Sequence, residues 1–211
     1  MMRTPEKMQN IGVTIKDLKT FVSYAEFKRI FDNLDHLLNS GQIRSLSILS
    51  FHPEEGRSFI CATIALGMTE MLGQRVLLVD AGNPTSNWDL DDIFEHQDSP
   101  VLEPEGMVYS LAPNLDGLKL SRLATVAHKA QEYRIQDIIA EYKNRYDLIL
   151  FDSAALRTTN RGNFDPWVIA ARTDASLLVT SPKTGDLAHQ FQVEPLLKSK
   201  VVGVIENMGA V

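Results

Sequence analysis

Short apolar runs alternate along the chain with longer stretches of helical periodicity. The runs predict strands at residues 45–49, 75–80, 107–111, 147–152, 175–180 and 201–205. Most of them are continuously apolar, which is typical of strands buried on both faces of a parallel sheet. Helices are predicted at residues 58–72, 88–94, 121–146, 165–172 and 186–197, with a surface loop at 95–106. This alternation predicts an α/β fold, with a mostly parallel central sheet and helices on both faces.

A long helical pattern, residues 15–38, precedes the first strand and ends at Asn39-Ser40-Gly41. Its apolar positions recur at three- and four-residue spacing: Phe27, Ile30, Phe31, Leu34, Leu37 and Leu38. We expect this face to cover the domain's own sheet, and a subunit contact is the alternative. The prediction is therefore one domain over residues 1–211, with a helical extension at 1–41 and an α/β core at 42–211.

Composition narrows the class of protein. The 211 residues are 44% hydrophobic and 23% charged, as in an ordinary globular domain. The net charge of -6 gives no general attraction to nucleic acid, so no nucleic-acid partner is expected. A single cysteine, Cys61, excludes an intrachain disulfide and favours a reducing compartment. With neither a signal peptide nor an apolar run of roughly 18 residues, the sequence predicts a cytoplasmic location.

Residues 53–58 (PEEGRS) stand between the first strand and a helix, where a phosphate-binding loop would lie. Backbone N–H groups at a helix N-terminus face such an anion. Ser58 would place its hydroxyl on Mg²⁺, and Arg57 would reach the terminal phosphates or, being larger than lysine, point outward. The pattern G-x-x-x-x-G-K-[ST] fails at Phe51 and Arg57, so an ordinary strand-to-helix turn is the alternative.

Two aspartates add to this pattern. Asp80 ends one apolar strand and Asp152 ends another. Ligands of open parallel sheets bind beyond the carboxyl ends of the strands, so both carboxylates are candidate catalytic residues and Mg²⁺ ligands. We expect both strands to lie next to the strand at 45–49, with the two carboxylates at one edge of the sheet.

Four segments together resemble one family. HPEEGRSF is similar to a P-x-x-G-K-[ST] loop, RVLLVDAGNP to R-V-L-L-[IV]-D-x-D-x-R, YDLILFDSAAL to a Y-D-x-[IV]-[IV]-[IV]-D-T-P-P strand, and VVGVIENM to a closing V-[IL]-G-V-V-x-N strand. The chain therefore resembles the cytoplasmic domain of bacterial tyrosine kinases of the CpsD/CapB/Wzc type, within the MinD/ParA class of deviant Walker P-loop ATPases. The resemblance covers about residues 24–208.

The resemblance implies a set of site residues and partners. The implied ligand is ATP or ADP with Mg²⁺. The implied nucleotide-binding residues are those of the loop and, at the adenine, Asn207; the loop residues are Pro53, Glu54, Glu55, Gly56, Arg57, Ser58 and Phe59. The resemblance also implies capsule or exopolysaccharide synthesis and export. The implied partner is a membrane-anchored chain-length regulator or export protein, which would place the chain peripherally at the inner membrane, with a homo-oligomer as a further expectation.

The chain departs from the family pattern at several functional positions. Arg57 replaces the loop lysine, Glu54 stands where the family often has glycine, and Gly82 removes the second carboxylate of the D-x-D pair. The last tyrosine is Tyr146, so the family's tyrosine-rich tail is not present in this sequence.

These departures leave three functional hypotheses. The first is a pseudo-kinase or ATP-sensing regulator that acts by binding. The second is a working tyrosine autokinase or ATPase that uses Arg57. The third is a positioning ATPase of the MinD/ParA type. An impaired enzyme is the favoured interpretation.

Overall fold

The computed structural model describes residues 15–82, 101–103, 106–120, 128–157, 164–182 and 200–208. Its helices are α1 (Ile15–Val22), α2 (Ala25–Asn39), α3 (Arg57–Leu72), α4 (His128–Tyr142) and α5 (Pro166–Arg172). Its strands are β1 (Ser45–Ser50), β2 (Val76–Asp80), β3 (Val101–Glu103), β4 (Gly106–Ala112), β5 (Leu115–Lys119), β6 (Leu148–Asp152), β7 (Ala175–Thr180) and β8 (Val201–Glu206).

The eight strands found in these residues form one sheet in the order β3-β4-β5-β2-β6-β1-β7-β8. The pairs from β5 across to β8 are parallel, whereas β4 runs antiparallel to both β3 and β5. The predicted mostly parallel α/β sheet is confirmed. One adjacency was wrong: β6 lies beside β1 as expected, but β6 also separates β2 from β1.

Two strands were not predicted from the sequence. β3 lies inside the stretch that was expected to be a surface loop, and that expectation was wrong. β5 reads LDGLK, and its Asp116 and Gly117 interrupt the apolar run that marks the other strands. The helices predicted at 88–94 and 186–197 fall outside the described residues, as does the first part of the one predicted at 121–146.

The N-terminal helical region consists of two helices instead of the single one expected. The break falls at Ser23 and Tyr24, where both the amide and the hydroxyl of Ser23 bond to the carbonyl of Thr20 and Tyr24 is extended. The apolar face of α2 is buried within the chain, against α3. The phenyl ring of Phe31 lies so close to Gly67 that a side chain there would collide with it. The face is covered within the chain, but it packs on α3, so the expectation that it covers the sheet was wrong.

Helix α3 lies between these N-terminal helices and the sheet. Its residues 60–69 are all buried, so it is apolar around its whole circumference. It ends at Gly73, which adopts φ 66 and donates its N–H to the carbonyl of Thr69, while Gln74 donates to the carbonyl of Met68, so both carbonyls are satisfied at this end of the helix. Because α3 is fixed along its length by packing, its first residue, Arg57, is held at the carboxyl edge of the sheet. The division at residues 41 and 42 stays a prediction.

Candidate nucleotide site

The loop between β1 and α3 has the backbone of a phosphate cradle. Gly56 is the N-cap of α3 with φ 83, and Glu54 also lies in the left-handed region with φ 64. No side chain caps this end of α3, and the first turn carries no acidic residue. The amide groups of the first turn therefore retain their capacity to bind an anion, supported by the dipole of a 16-residue helix.

Asn207, the residue that follows the edge strand β8, fixes the conformation of the loop. Its amide Nδ2 donates to the carbonyl of Glu55 at 2.9 Å, and its backbone N–H donates to Thr180 at 2.7 Å. A Cβ at Gly56 would collide with this amide, so the approach requires glycine. The resemblance implied that Asn207 contacts adenine. The structure places it against the loop, and the adenine contact stays a prediction.

Glu55 and His52 give the loop internal polar contacts. Glu55 is 2% exposed, and its Oε2 accepts the N–H of His52 at 3.0 Å. The His52 side chain is half-buried, and its Nε2 is buried with no hydrogen-bond partner in the described part of the chain. A buried nitrogen of this kind is suited to bonding a ligand that enters the loop.

Asp80 and Asp152 lie side by side. They are register partners in the parallel pair of β2 and β6, so both carboxylates stand at the carboxyl edge of the sheet, as predicted. Asp152 is 4% exposed, whereas Asp80 is half-buried and its Oδ1 accepts the N–H of Gly82 at 3.0 Å. The second carboxylate expected in the family would be at Gly82, where the chain has no side chain.

Arg57 points into the site. Its Nε donates to Asp152 Oδ1 at 3.2 Å, and its Nη1 donates to Ser50 Oγ at 2.7 Å. The side chains of this ion pair are 15% and 5% exposed, so the charges interact with little screening. The alternative that Arg57 points outward is wrong. Sequence reasoning missed Ser50, because the last residue of a buried strand gives no sign that it will accept from a guanidinium.

The residues fit a nucleotide phosphate better than they fit Mg²⁺. The uncapped first turn of α3 suits an anion. The best carboxylate for a metal, Asp152, is already bonded to Arg57, and the described residues contain no group of three or more metal-binding side chains. Ser58 is the second residue of α3 and is partly exposed. Its role as a metal ligand stays a prediction.

The remaining loop residues differ in what they contact. Pro53 is exposed, while Phe59 is partly buried, with its ring 4.8 Å from that of Phe21. Phe59 therefore anchors α3 to α1 and contributes packing. Cys61, in the helix that follows the loop, is fully buried in the core. Burial, with a smaller contribution from Asp152, raises the pKa of the Cys61 thiol well above its usual value.

A lysine that sequence reasoning did not single out lies next to the carboxylates. Lys119 ends β5 and is the register partner of Asp80, and both line a cavity of about 20 Å³. It was missed because β5 was not predicted as a strand. A larger cavity of about 360 Å³ lies at the opposite edge of the sheet, around Arg44 and Arg75, away from the loop.

The sheet order and the helices packed on it give the chain the α/β fold of P-loop NTPases. No family model matches the chain. The succinoglycan biosynthesis transport protein ExoP of Rhizobium meliloti (strain 1021) is 28% identical over 82% of this chain, which spans only 23% of that protein. The kinase domain of the Escherichia coli tyrosine kinase Etk superposes with a TM-score of 0.62 at 16% identity, covering 81% of this chain and 71% of the other.

The septum site-determining protein MinD of Pyrococcus horikoshii, in complex with Mg-ADP, superposes with a TM-score of 0.52 at 24% identity. The match covers 78% of this chain and 70% of that structure. The resemblance to bacterial tyrosine kinase domains and MinD/ParA ATPases is thus confirmed at the level of the fold. Within the residues the structure describes, no helix is long and apolar enough to cross a bilayer.

Proposed function

We propose that this protein is a nucleotide-binding regulator of capsule or exopolysaccharide synthesis and export, with impaired phosphoryl transfer. The observation that carries the proposal is the contact of Arg57 with Asp152. The loop residue that should bind the terminal phosphates is instead bonded to the carboxylate that should serve the metal. Phosphoryl transfer depends on charges positioned around the phosphates, so a site with this pairing favours binding over catalysis.

The setting and partner rest on the similarity to ExoP, a succinoglycan biosynthesis transport protein. We propose a membrane-anchored chain-length regulator or export protein as the partner, which would hold this chain at the cytoplasmic face of the inner membrane. Deleting the gene should change the chain length or the amount of exported polymer. Unchanged polymer with a normally expressed partner would argue against this setting.

The central experiment combines calorimetric titration with ATP and ADP and an assay for phosphotyrosine on the purified protein. We expect nucleotide binding with weak or no autophosphorylation. The exposed tyrosines, Tyr24 and Tyr133, are the side chains best placed to accept a phosphoryl group if transfer does occur. Robust phosphotyrosine that Asp152→Ala abolishes would contradict the proposal.

The second candidate, a working autokinase or ATPase that uses Arg57, is favoured by one observation: the guanidinium lies inside the site and not in solvent. Arg57→Lys separates the two. If Arg57 limits nucleotide use, this variant should bind Mg-ATP about tenfold to a hundredfold more tightly, the equivalent of one charge-assisted hydrogen bond of roughly 1.5–3 kcal/mol. If the loop is built around arginine, Arg57→Lys leaves affinity unchanged or lowers it.

A positioning ATPase of the MinD/ParA type shares the fold, so the fold does not decide between these functions. Such an ATPase should hydrolyse ATP, whereas the pairing of Arg57 with Asp152 favours slow hydrolysis. Gene neighbours for polysaccharide synthesis would favour the proposed function, and neighbours for chromosome or division-site positioning would favour this alternative.

A further inference from the structure

The carboxyl edge of the sheet contains its own cations at the place where a metal would be expected. Lys119, Asp80 and Asp152 are consecutive register partners on β5, β2 and β6. They share the sheet face covered by α3, because Leu78 and Leu150, two residues earlier on their strands, belong to the core cluster that includes the residues of α3. A row of one positive and two negative side chains therefore crosses the edge.

Arg57 reaches this row from α3 and completes the charge balance. Its guanidinium bonds to Asp152 and to Ser50, and both of these side chains are almost fully buried. Two carboxylates are thus balanced by two cations, Arg57 and Lys119. The edge needs no divalent ion to neutralise it.

A metal could use Asp152 only after displacing the guanidinium. Breaking a buried pair is costly because it leaves a charge without compensation in a weakly polar environment. Gly82 supplies no second carboxylate to offset this cost, and within the described ranges no group of three metal-binding side chains is present. The donor set therefore disfavours Mg²⁺ while the helix terminus remains suited to an anion.

We infer that the site binds a nucleoside di- or triphosphate as the metal-free anion. The amide groups at the start of α3 supply donors for the phosphates, and the Arg57 guanidinium supplies a positive charge beside them in place of Mg²⁺. A metal-bound phosphate would bring a second cation towards Arg57, so Mg²⁺ should weaken binding. This inference rests on the proposed nucleotide-binding function and specifies the ionic form of the ligand.

The test is calorimetric titration of ADP and ATP into the full chain, once with excess EDTA and once with excess MgCl₂. We expect equal or tighter binding with EDTA for the natural protein. Tightening by Mg²⁺ of more than about threefold would overturn the inference. Absence of binding under both conditions would overturn the proposed nucleotide-binding function itself, so the two failures are distinguishable.

Two variants test whether the Arg57 guanidinium is responsible for the effect of Mg²⁺ on nucleotide affinity. Arg57→Lys replaces the planar fork with a compact ammonium, so Mg²⁺ should now tighten binding by roughly tenfold. Arg75→Lys is the matched control, because Arg75 forms an ion pair with Asp147 at 2.8 Å at the other edge of the sheet. It should behave as the natural protein does. Equal metal dependence in Arg57→Lys and the natural protein would contradict the role assigned to Arg57.

Asp152→Asn provides an independent arm. It removes the carboxylate that retains Arg57 and frees the guanidinium for phosphate, so binding in EDTA should be stronger by a few-fold. If Asp152 instead held a metal needed for binding, the same variant would lose affinity in MgCl₂. Thermal unfolding of each variant shows whether the fold persists, and Arg57→Lys keeps the test decisive if Asp152→Asn does not fold.

Discussion

Replacing Glu54 by glycine should both stabilise the protein and strengthen nucleotide binding. Glu54 has φ 64, in the left-handed region that costs a residue with a Cβ roughly 1–2 kcal/mol. Glycine removes this strain but adds conformational entropy to the unfolded chain, a cost of about 0.4–1 kcal/mol. The net expectation is a free energy of unfolding higher by about 0.5–1 kcal/mol, which raises the melting temperature by roughly 2 °C in a chain of this size.

The binding gain has a different origin, because Glu54 brings a negative charge to a loop that should receive an anion. Its side chain is exposed, so screening limits the gain in affinity to a few-fold. Asn114→Gly is the matched control. Asn114 has φ 62 in the β4–β5 turn, but asparagine tolerates this region, so the change should be close to neutral. Urea unfolding and calorimetric titration measure both quantities, and a Glu54→Gly protein less stable than the natural one would refute the reasoning.

Two further changes test the packing and the electrostatics. Gly67→Ala should lower the free energy of unfolding by about 1 kcal/mol, because its methyl group would collide with the ring of Phe31. Adding Phe31→Leu should recover part of the loss, and a melting temperature unchanged in Gly67→Ala would contradict the packing. The Arg75 guanidinium holds the pKa of Asp147 below its usual range, so Asp147 contributes stability above about pH 4 that is lost as the pH falls through its lowered pKa. Asp147→Asn should therefore lower the free energy of unfolding by roughly 0.5 kcal/mol at neutral pH and leave it unchanged in strong acid. Urea unfolding at several pH values measures this difference. An equal loss at both pH values would show that the charge of Asp147 is not responsible.

The sequence predicted the strands that carry a strong apolar signal, together with the chemistry at their ends. Asp80 and Asp152 could be placed at one edge because a parallel sheet puts all carboxyl ends together. The order of the strands was less accessible, since continuous burial does not specify which neighbour a strand takes, and β6 was not placed between β1 and β2. Lys119 could not be identified either, because Asp116 and Gly117 interrupt the apolar pattern by which its strand, β5, would have been predicted.

The direction of Arg57 also needed the structure. Its length and planar fork suggested that it would crowd the phosphate or turn away, whereas it bonds to Asp152 and Ser50. The size and shape of the arginine side chain alone did not determine its direction. The direction depends on the Ser50 hydroxyl on β1 and the Asp152 carboxylate on β6, which the packing of α3 on the sheet brings within reach of the guanidinium.

The hydrogen bond from Asn207 to Glu55 makes the conformation of the loop after the first strand depend on the last strand, β8. It joins residues 152 positions apart and holds the loop from a strand that lies at the outer edge of the sheet. During synthesis, the loop emerges long before β8 exists to hold it. Long-range contacts of this kind form late because their loop-closure entropy must be overcome first. The phosphate loop should therefore reach its binding conformation only after the last strand has docked, so a partly folded or truncated chain would not compete for nucleotide.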